Sequence, residues 1–166
     1  MRFACLAAVL SLMPLSAFAQ QGCFGAGQPL FHCTVKGGAK SLDICLQGTA
    51  AYYRFGPTSG SAELILAHHV RDIHLTPWNG VGSSIYEELE FWAGDVTYQV
   101  HFAQARIASE TPELRGGVAV FKADQMLAEL QCDAGSVQSR DFYALFEAKE
   151  RAGQCYDHAS FSWGAC

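Results

Sequence analysis

The amino-acid sequence predicts an α+β fold that is mainly antiparallel β, a barrel or a sandwich of about eight strands, with one C-terminal helix. Short β-prone segments alternate with glycine-containing turns over residues 30–132. A single later segment, residues 139–152, carries apolar side chains at helical spacing instead. These two patterns together favour a sheet-dominated domain whose helix comes last.

The first predicted strands form a meander. Glycine-containing turns separate three short segments, of which residues 30–35 are β-prone and residues 41–46 and 50–55 place their apolar side chains on one face. Connections this short force consecutive strands to pair antiparallel. We therefore expect three neighbouring antiparallel strands at the start of the domain.

The strand pattern continues beyond these segments. Residues 62–67 predict a fourth strand, and its extension through His74 and Leu75 is open, because only Pro77-Trp78-Asn79-Gly80 clearly breaks the chain. Four later strands are expected to pair as two hairpins, at residues 85–92 with 96–103 and at residues 117–121 with 126–132. The first of these hairpins has the clearest period-2 alternation, which is typical of strands with one buried face.

Residues 139–152 predict one amphipathic helix. Its shared face consists of Phe142, Leu145, Phe146 and Lys149. Ser136 or Ser139 is available as the N-cap, and Gly153 follows the last turn, where a left-handed C-cap is common.

The chain begins with the pattern of an export signal. Arg2 supplies a positive charge, residues 4–18 are almost wholly apolar, and Ala17-Phe18-Ala19 has the small-x-small form that signal peptidase needs. We expect residues 1–19 to be a signal peptide and residues 20–166 to form a single disulfide-braced, β-rich domain. The apolar stretch is shorter than the roughly 20 residues of a transmembrane helix. The predicted location is periplasmic or secreted, with no membrane attachment after signal removal.

Charge limits the classes of partner. The whole chain has a formal charge of −5, and loss of Arg2 with the signal makes the mature domain −6. This balance argues against nucleic acid and anionic membrane as partners. It leaves open a protein or small-molecule ligand, including a cationic one, and no cofactor is expected.

The cysteines that follow the signal form an even set of six: Cys23, Cys33, Cys45, Cys132, Cys155 and Cys166. An even set in an exported chain predicts three disulfides, although the sequence does not choose among the pairings. Pairing near neighbours joins Cys33 to Cys45 and Cys155 to Cys166, and leaves Cys23 with Cys132. The Cys155–Cys166 pair would hold an aromatic tail against the sheet. No C-x-x-C is present, which argues against a redox or zinc site formed by these cysteines.

The histidines offer a candidate metal site. If residues 67–75 stay extended, His68, Asp72 and His74 share one face of the strand. His101, His158 or Glu88 could complete a periplasmic zinc or copper site there. The alternative is a solvated polar strand face, which the absence of H-E-x-x-H spacing favours.

A small secreted hydrolase is another alternative. Asp157-His158 could join a serine in acyl transfer, but G-x-S-x-G is absent, and Gly60-Ser61 and Gly82-Ser83-Ser84 have the composition of ordinary turns. Such triads are defined by geometry rather than by sequence order. We therefore expect a non-catalytic protein and keep an enzyme as the rival.

The densest acidic cluster is a candidate binding strip. Period 2 places Tyr86, Glu88, Glu90 and Trp92 on one face of the predicted strand 85–92. Two carboxylates so placed suit glycosidase chemistry or, with the flanking aromatic rings, docking of a basic partner. The plain alternative is a charged outer face that prevents aggregation, with the aromatic rings, Trp78 and Trp163 among them, mostly in the core.

Several short motifs resemble small exported proteobacterial proteins of uncharacterised function. They are Leu30-Phe31-His32-Cys33-Thr34, Lys36-Gly37-Gly38, residues 42–45, Tyr53-Arg54-Phe55-Gly56 and Tyr98-Gln99-Val100. This resemblance covers roughly the first two thirds of the mature region. It implies an exported β meander and no particular activity.

Phe31-His32-Cys33 is also similar to the opening strand of bacterial periplasmic inhibitors of c-type lysozyme. That resemblance implies a small, exported, disulfide-bonded, barrel-like fold. The inhibitors' Ser-Gly-x-Arg-Tyr loop has no counterpart here, since Gly82-Ser83-Ser84-Ile85-Tyr86 keeps the serine and tyrosine but lacks the arginine. No inhibitory residue is carried over. The sequence thus predicts a periplasmic non-catalytic binding protein, with inhibition of a basic enzyme such as lysozyme as its most concrete form.

Overall fold

The computed structural model describes Cys23 and residues 27–106, 113–140 and 142–166, so the predicted signal peptide lies outside the described residues. In chain order the elements are β1 (Gln28–Val35), β2 (Lys40–Gln47), β3 (Ala50–Pro57), β4 (Leu64–His69), β5 (His74–Thr76), β6 (Ser84–Ala93), β7 (Val96–Ala105), β8 (Leu114–Lys122), β9 (Gln125–Gln131), β10 (Ser139–Arg140), α1 (Tyr143–Arg151), β11 (Gln154–Asp157) and β12 (Ser162–Ala165). None of the described helical segments has the length and hydropathy that crossing a bilayer requires.

The predicted meander forms the first sheet, in the order β10–β1–β2–β3–β4. Its strands pair antiparallel throughout, with Leu42 of β2 opposite Cys33 of β1 on one side and Phe55 of β3 on the other. The β1–β2 turn needs left-handed backbone, because Gly37 and Gly38 have φ of 66° and 83°. Glycine adopts this conformation without the steric cost of a Cβ atom.

The second sheet has the order β5–β6–β7–β8–β9 and contains both predicted hairpins. In β6–β7, Leu89 pairs with Val100 and Phe91 pairs with Tyr98. Leu89, Phe91 and Val100 are fully buried, while the residues between them reach the outer face. The alternation in the sequence therefore corresponds to one buried and one accessible face.

The segment after β4 does not continue as one strand. The chain leaves the first sheet at His69, turns through residues 70–73 and enters the second sheet as β5. Val70 and Ile73 are buried in this turn, and their carbonyl oxygens accept hydrogen bonds from the Lys149 ammonium at 2.9 and 2.6 Å. Burial of two apolar side chains with satisfied carbonyls stabilises the turn over an extended conformation.

The two sheets pack over one hydrophobic core. Tyr53 of β3 lies against Phe91 of β6, with ring centroids 5.7 Å apart. Phe31 of β1 approaches β8 at Gly116, where a Cβ atom would lie only 2.8 Å from the ring. The mainly antiparallel fold class with one late helix is confirmed, and the described strands form separate sheets, arranged as a sandwich and not as a closed barrel.

The helix is shorter than predicted. It begins at Tyr143 after Phe142, and no side chain caps its N-terminus. The prediction of Ser136 or Ser139 as N-cap is wrong. Ser139 lies in β10 and pairs with His32 of β1, and the Ser136 hydroxyl is hydrogen-bonded to the backbone of Thr34. The predicted left-handed glycine does follow the helix, since Gly153 has a φ of 82°.

The three disulfides join Cys23 to Cys45, Cys33 to Cys132 and Cys155 to Cys166. Of the predicted pairings, Cys155–Cys166 is confirmed, whereas Cys33–Cys45 and Cys23–Cys132 are wrong. Cys33 lies opposite Leu42, three residues from Cys45, so the two cysteines are offset by about 10 Å along β1 and β2. A disulfide needs Cα atoms within about 7 Å of each other. Cys33 instead links the first sheet to the end of β9, and Cys45 holds the N-terminal Cys23.

Candidate binding surface

Strand β6 presents the predicted acidic strip, which we define as Tyr86, Glu88, Glu90 and Trp92, on the face away from the core. The intervening residues Leu89 and Phe91 point into the core and fix the register of the strand. Strand alternation thus places the acidic strip as predicted. The contacts of its four side chains differ.

Hydrogen bonds hold the two carboxylates of the strip. The Tyr86 hydroxyl donates to Oε2 of Glu88 at 2.7 Å. Nε2 of Gln99, on β7, donates to Oε1 of Glu88 at 2.8 Å and to Oε1 of Glu90 at 3.3 Å. One amide therefore bridges both acids and keeps them side by side.

The electrostatic environment of the strip opposes the ionisation of Glu88 and of Tyr86. Burial raises the pKa of Glu88 above its ordinary value, and the nearby Glu90 charge raises it further, against the lowering effects of Tyr86, His74 and Gln99. Burial and the bond to Glu88 also raise the pKa of Tyr86, so its hydroxyl stays a donor. The close approach of two carboxylates is thus electrostatically unfavourable until a positive group compensates it.

Two histidines flank the strip. His74 of β5 lies opposite Glu90, and His101 of β7 lies opposite Glu88 and stacks on the Tyr86 ring at 5.9 Å. Burial lowers the pKa of His101, with a smaller opposing effect from Glu129. His101 is therefore a neutral neighbour of the strip near pH 7.

Trp92 has a structural environment that sets it apart from the rest of the strip. Its ring stacks on His68 of β4 with centroids 4.1 Å apart, and Nε2 of His68 donates to the Trp92 carbonyl at 2.9 Å. This contact joins β4, an edge strand of the first sheet, to β6 of the second sheet. The structure places Trp92 at the sheet junction.

The structure separates the residues of the predicted metal site. His68 lies in β4 of the first sheet, Asp72 in the turn, and His74 in β5 of the second sheet. The extended segment on which this site depended is absent, because the chain turns at residues 70–73. Among the described residues no three His, Cys, Asp or Glu side chains are grouped so that they could hold a metal ion.

Asp157 and His158 lie at the turn of the C-terminal β11–β12 hairpin. The Asp157 carboxylate accepts hydrogen bonds from the backbone N–H of Ala159 at 2.8 Å and from the Ser160 hydroxyl at 2.7 Å. His158 packs edge-on against Tyr156. The hydrogen bonds from Ser160 and Ala159 hold the pKa of Asp157 below its ordinary value. This arrangement is that of a hairpin turn.

Two clefts flank the side chain of Trp78, in the loop between β5 and β6. The first has a volume of about 230 Å³ and is lined by Thr76, Pro77, Trp78, Asn79, Val81, Ser84, Tyr86 and Phe161. The second has a volume of about 210 Å³ and is lined by Leu75, Pro77, Trp78, Glu87, Phe142, Tyr143 and Phe146. We call them the Trp78 clefts. Because Tyr86 lines the first cleft and belongs to the acidic strip, the two features are continuous.

The loop that carries Trp78 is held by its own contacts. The indole N–H donates to the Val81 carbonyl at 3.1 Å, and the Val81 N–H donates to the Asn79 side chain at 3.0 Å. The Arg106 guanidinium lies over the indole ring, 5.2 Å from its centroid. These contacts fix the indole between the two clefts.

The exposed apolar side chains concentrate at the Trp78 clefts. Seven large hydrophobic side chains are exposed in the described part of the chain, and four of them line the clefts: Val81 (72%), Tyr143 (64%), Phe161 (52%) and Tyr86 (42%). Sequence reasoning missed this surface, because it treated Pro77-Trp78-Asn79-Gly80 only as a strand breaker and expected most aromatic rings in the core. The sequence signal for this surface was a tryptophan inside a turn, where its ring does not belong to the buried face of a strand.

Comparison with known proteins gives no match for this chain among protein-family models, curated proteins or solved structures. The resemblances to exported proteobacterial proteins and to lysozyme inhibitors thus stay predictions.

Proposed function

We propose that this domain is a periplasmic, non-catalytic binding protein that contacts a partner protein through the Trp78 clefts and the acidic strip. The observation that carries the proposal is the concentration of exposed apolar side chains around two clefts. Exposed apolar patches with a polar rim are typical of interaction surfaces. Aromatic side chains at such clefts supply large contact area and few rotatable bonds.

The fixed loop supports a binding role. Trp78 is already held by Val81 and Arg106. A side chain that is ordered before binding loses little conformational entropy when a partner arrives. The clefts are therefore suited to receive apolar groups of a partner.

The charge of the surface supports a basic partner. Glu87 lines the second cleft, and Glu88 and Glu90 continue from the first. Together with the predicted mature charge of −6, these acids would attract a basic protein and suppress encounter with acidic ones. Inhibition of a basic enzyme such as lysozyme is the most concrete form of the proposal.

The geometry of the acids favours binding over catalysis. Both carboxylate oxygens of Glu88 accept internal hydrogen bonds, and those of Asp157 stabilise a turn. A hydrolase would instead need a proton donor or nucleophile aimed at substrate. A mature protein that turns over a substrate in a hydrolase screen, with loss of activity on changing Glu88 or His158, would contradict the proposal.

A differential capture experiment tests the proposed surface. Immobilised mature protein, its Trp78→Ala/Phe161→Ala variant and an Ile65→Ala/Leu127→Ala control are incubated with periplasmic extract and with c-type lysozyme. Ile65 and Leu127 are also exposed but lie away from the clefts. We expect a protein that the wild type and the control retain and the cleft variant loses. Equal retention by all three would contradict the proposal.

A further inference from the structure

The acidic strip carries charge that has no ion-pair partner among the described residues. The ion pairs among the described residues are His32–Asp43, Lys40–Glu63, Arg54–Asp43, Lys122–Asp95 and Arg151–Glu147. Neither Glu88 nor Glu90 belongs to one of them. Their bonds come from the neutral donors Tyr86 and Gln99. Neutral donors orient a carboxylate without compensating its charge.

The residues around the strip offset its negative charge only in part, since the charge of His74 lowers the pKa of Glu88 while burial and the Glu90 charge raise it. On the β7 side the strip faces Gln99, which is neutral, and His101, whose pKa burial lowers. On the β5 side it faces Thr76 and His74. Arg106 is placed over Trp78, with its guanidinium also near the Gly80 carbonyl at 3.5 Å. The two carboxylates, although hydrogen-bonded, thus keep negative charge that an external cation can compensate.

The strip and the first cleft have a fixed spacing. Tyr86, Glu88 and Glu90 follow one another at every second residue of β6, so neighbouring side chains are about 7 Å apart along the strand. An extended partner segment has the same repeat. A partner side chain in the first cleft would therefore place the side chain two residues away beside Glu88, and the next one beside Glu90.

We infer that the partner presents an extended segment in which an apolar side chain fills the first Trp78 cleft and a lysine or arginine, two or four residues away, binds between Glu88 and Glu90. This inference rests on the proposed function. The cation compensates two adjacent negative charges, and its alkyl stem packs on the exposed Tyr86 ring. Charge complementarity at an apolar anchor thus selects a basic peptide segment.

Selection from a displayed library of random dodecapeptides on the immobilised mature protein tests the inference. Enriched peptides are synthesised, and their affinities are measured for the wild type, for Glu88→Gln/Glu90→Gln and for Trp78→Ala. The control is Glu113→Gln/Asp124→Asn, which removes the same amount of charge from exposed positions elsewhere. Thermal unfolding of each variant checks that it is folded.

We expect enriched peptides with a lysine or arginine two or four residues from an aromatic or aliphatic residue. Glu88→Gln/Glu90→Gln should bind them at least about tenfold more weakly, a loss of about 1.4 kcal/mol, while the charge-matched control binds as the wild type does. Neutral or acidic consensus peptides, or equal affinity for the two double variants, would overturn the inference. In that case, weaker peptide binding by Trp78→Ala would still support the proposed surface. Unchanged peptide binding by Trp78→Ala would contradict both the inference and the proposed surface.

Discussion

Asp43 is the residue on which a buried polar row of the first sheet depends. The row crosses three strands, with His32 of β1, Asp43 of β2 and Arg54 of β3 directly opposite one another. Asp43 is 2% exposed and bonds Nδ1 of His32 at 2.5 Å, the Ser41 hydroxyl at 3.0 Å and the Arg54 guanidinium at 3.2 Å. Burial alone would raise the pKa of Asp43, but the hydrogen bond and charge of His32, with Ser41 and Arg54, outweigh it and lower the pKa below 3.8.

Asp43→Asn should therefore destabilise the domain by about 3 kcal/mol at pH 7, because it leaves partly buried charge uncompensated. Since the folded-state pKa is lowered, the contribution of Asp43 is fully present above the unfolded value and is lost as pH falls through the folded one. Urea unfolding from pH 7 to pH 2 measures both effects, with Asp124→Asn as the exposed control. The difference between wild type and Asp43→Asn should shrink below about pH 4. A difference that stays constant over this range would contradict the role given to Asp43.

Lys149 is a second buried charge, fully covered in helix α1. Its ammonium donates to the carbonyls of Val70 and Ile73 and lies 4.8 Å from the centroid of the Trp163 ring. Burial lowers the pKa of Lys149 to about 8, and the Asp72 charge opposes this only in part. The neutral amine keeps donor hydrogens, so the turn remains capped when the charge is lost.

A lowered lysine pKa gives a defined pH dependence. Between about pH 8 and pH 10.5 the unfolded chain binds more protons at this position than the folded one, so folding stability rises with pH. The free energy of unfolding of wild type relative to Lys149→Met should increase by up to about 3 kcal/mol over this interval. Chemical denaturation of both proteins at pH 7.5, 9 and 10.5 gives the difference. A flat or falling difference would mean that Lys149 is not desolvated as the structure indicates.

At the scale of elements, the C-terminal hairpin completes the proposed binding surface. Its strands β11 and β12 pair from Gln154 opposite Ala165 to Asp157 opposite Ser162, and the Cys155–Cys166 disulfide closes its open end. The indole N–H of Trp163 donates to the Leu75 carbonyl at 2.7 Å, which docks the hairpin on β5. Phe161, near the tip, lines the first Trp78 cleft. One end of the hairpin is cross-linked and the other end forms part of the cleft wall.

Removal of this disulfide should weaken peptide binding and leave the hydrophobic core folded. Both of its cysteines are exposed, whereas Cys23, Cys33 and Cys45 are buried. Cys155→Ser/Cys166→Ser should lose about 2–3 kcal/mol of stability, yet remain folded and bind cleft-directed peptides more weakly. Calorimetric unfolding and peptide titration of the same sample measure the two effects. Unchanged peptide affinity would show that the hairpin does not shape the cleft.

The elements that the sequence predicted are those with local signals. Period-2 alternation and glycine turns predicted β1–β2–β3 and the β6–β7 hairpin, because strand pairing there follows directly from short connections. The turn at residues 70–73 depends on Lys149, more than 70 residues away, and no local pattern encodes that contact. The pairing of Cys33 with Cys132 and the Trp78 clefts likewise depend on how distant segments pack. The acidic strip was predictable because one strand contains all of it.

At the scale of the whole molecule, one long-range disulfide and the hydrogen bonds beside it join β1 to the segment after β9. The Cys33–Cys132 disulfide joins β1 to the end of β9 across 99 residues. The adjacent Asp133 accepts hydrogen bonds from the N–H groups of Gly37 and Gly38 and from the Thr34 hydroxyl. Three disulfides in so short a chain favour an oxidising compartment, which agrees with the predicted export signal.

Export predicts a specific mature product. We expect the exported chain to begin at Gln20 and its six remaining cysteines to resist alkylation until a reductant is added. N-terminal sequencing and mass spectrometry of the periplasmic fraction, with and without reduction, provide both readings. A full-length product that retains Met1 and has free thiols would contradict the predicted compartment.

The Trp78 clefts and the acidic strip are proposed to form one binding surface. The most direct measurement is amide chemical-shift mapping of the isotopically labelled mature protein, titrated with a basic peptide selected as above. The predicted result is a set of shifts confined to residues 74–90, residues 142–146 and Phe161, absent when the peptide's cationic residue is replaced by glutamate. Shifts centred instead on the exposed edge strand β9 or around Ile65, with the amides of Trp78 and Glu88 unmoved, would contradict it.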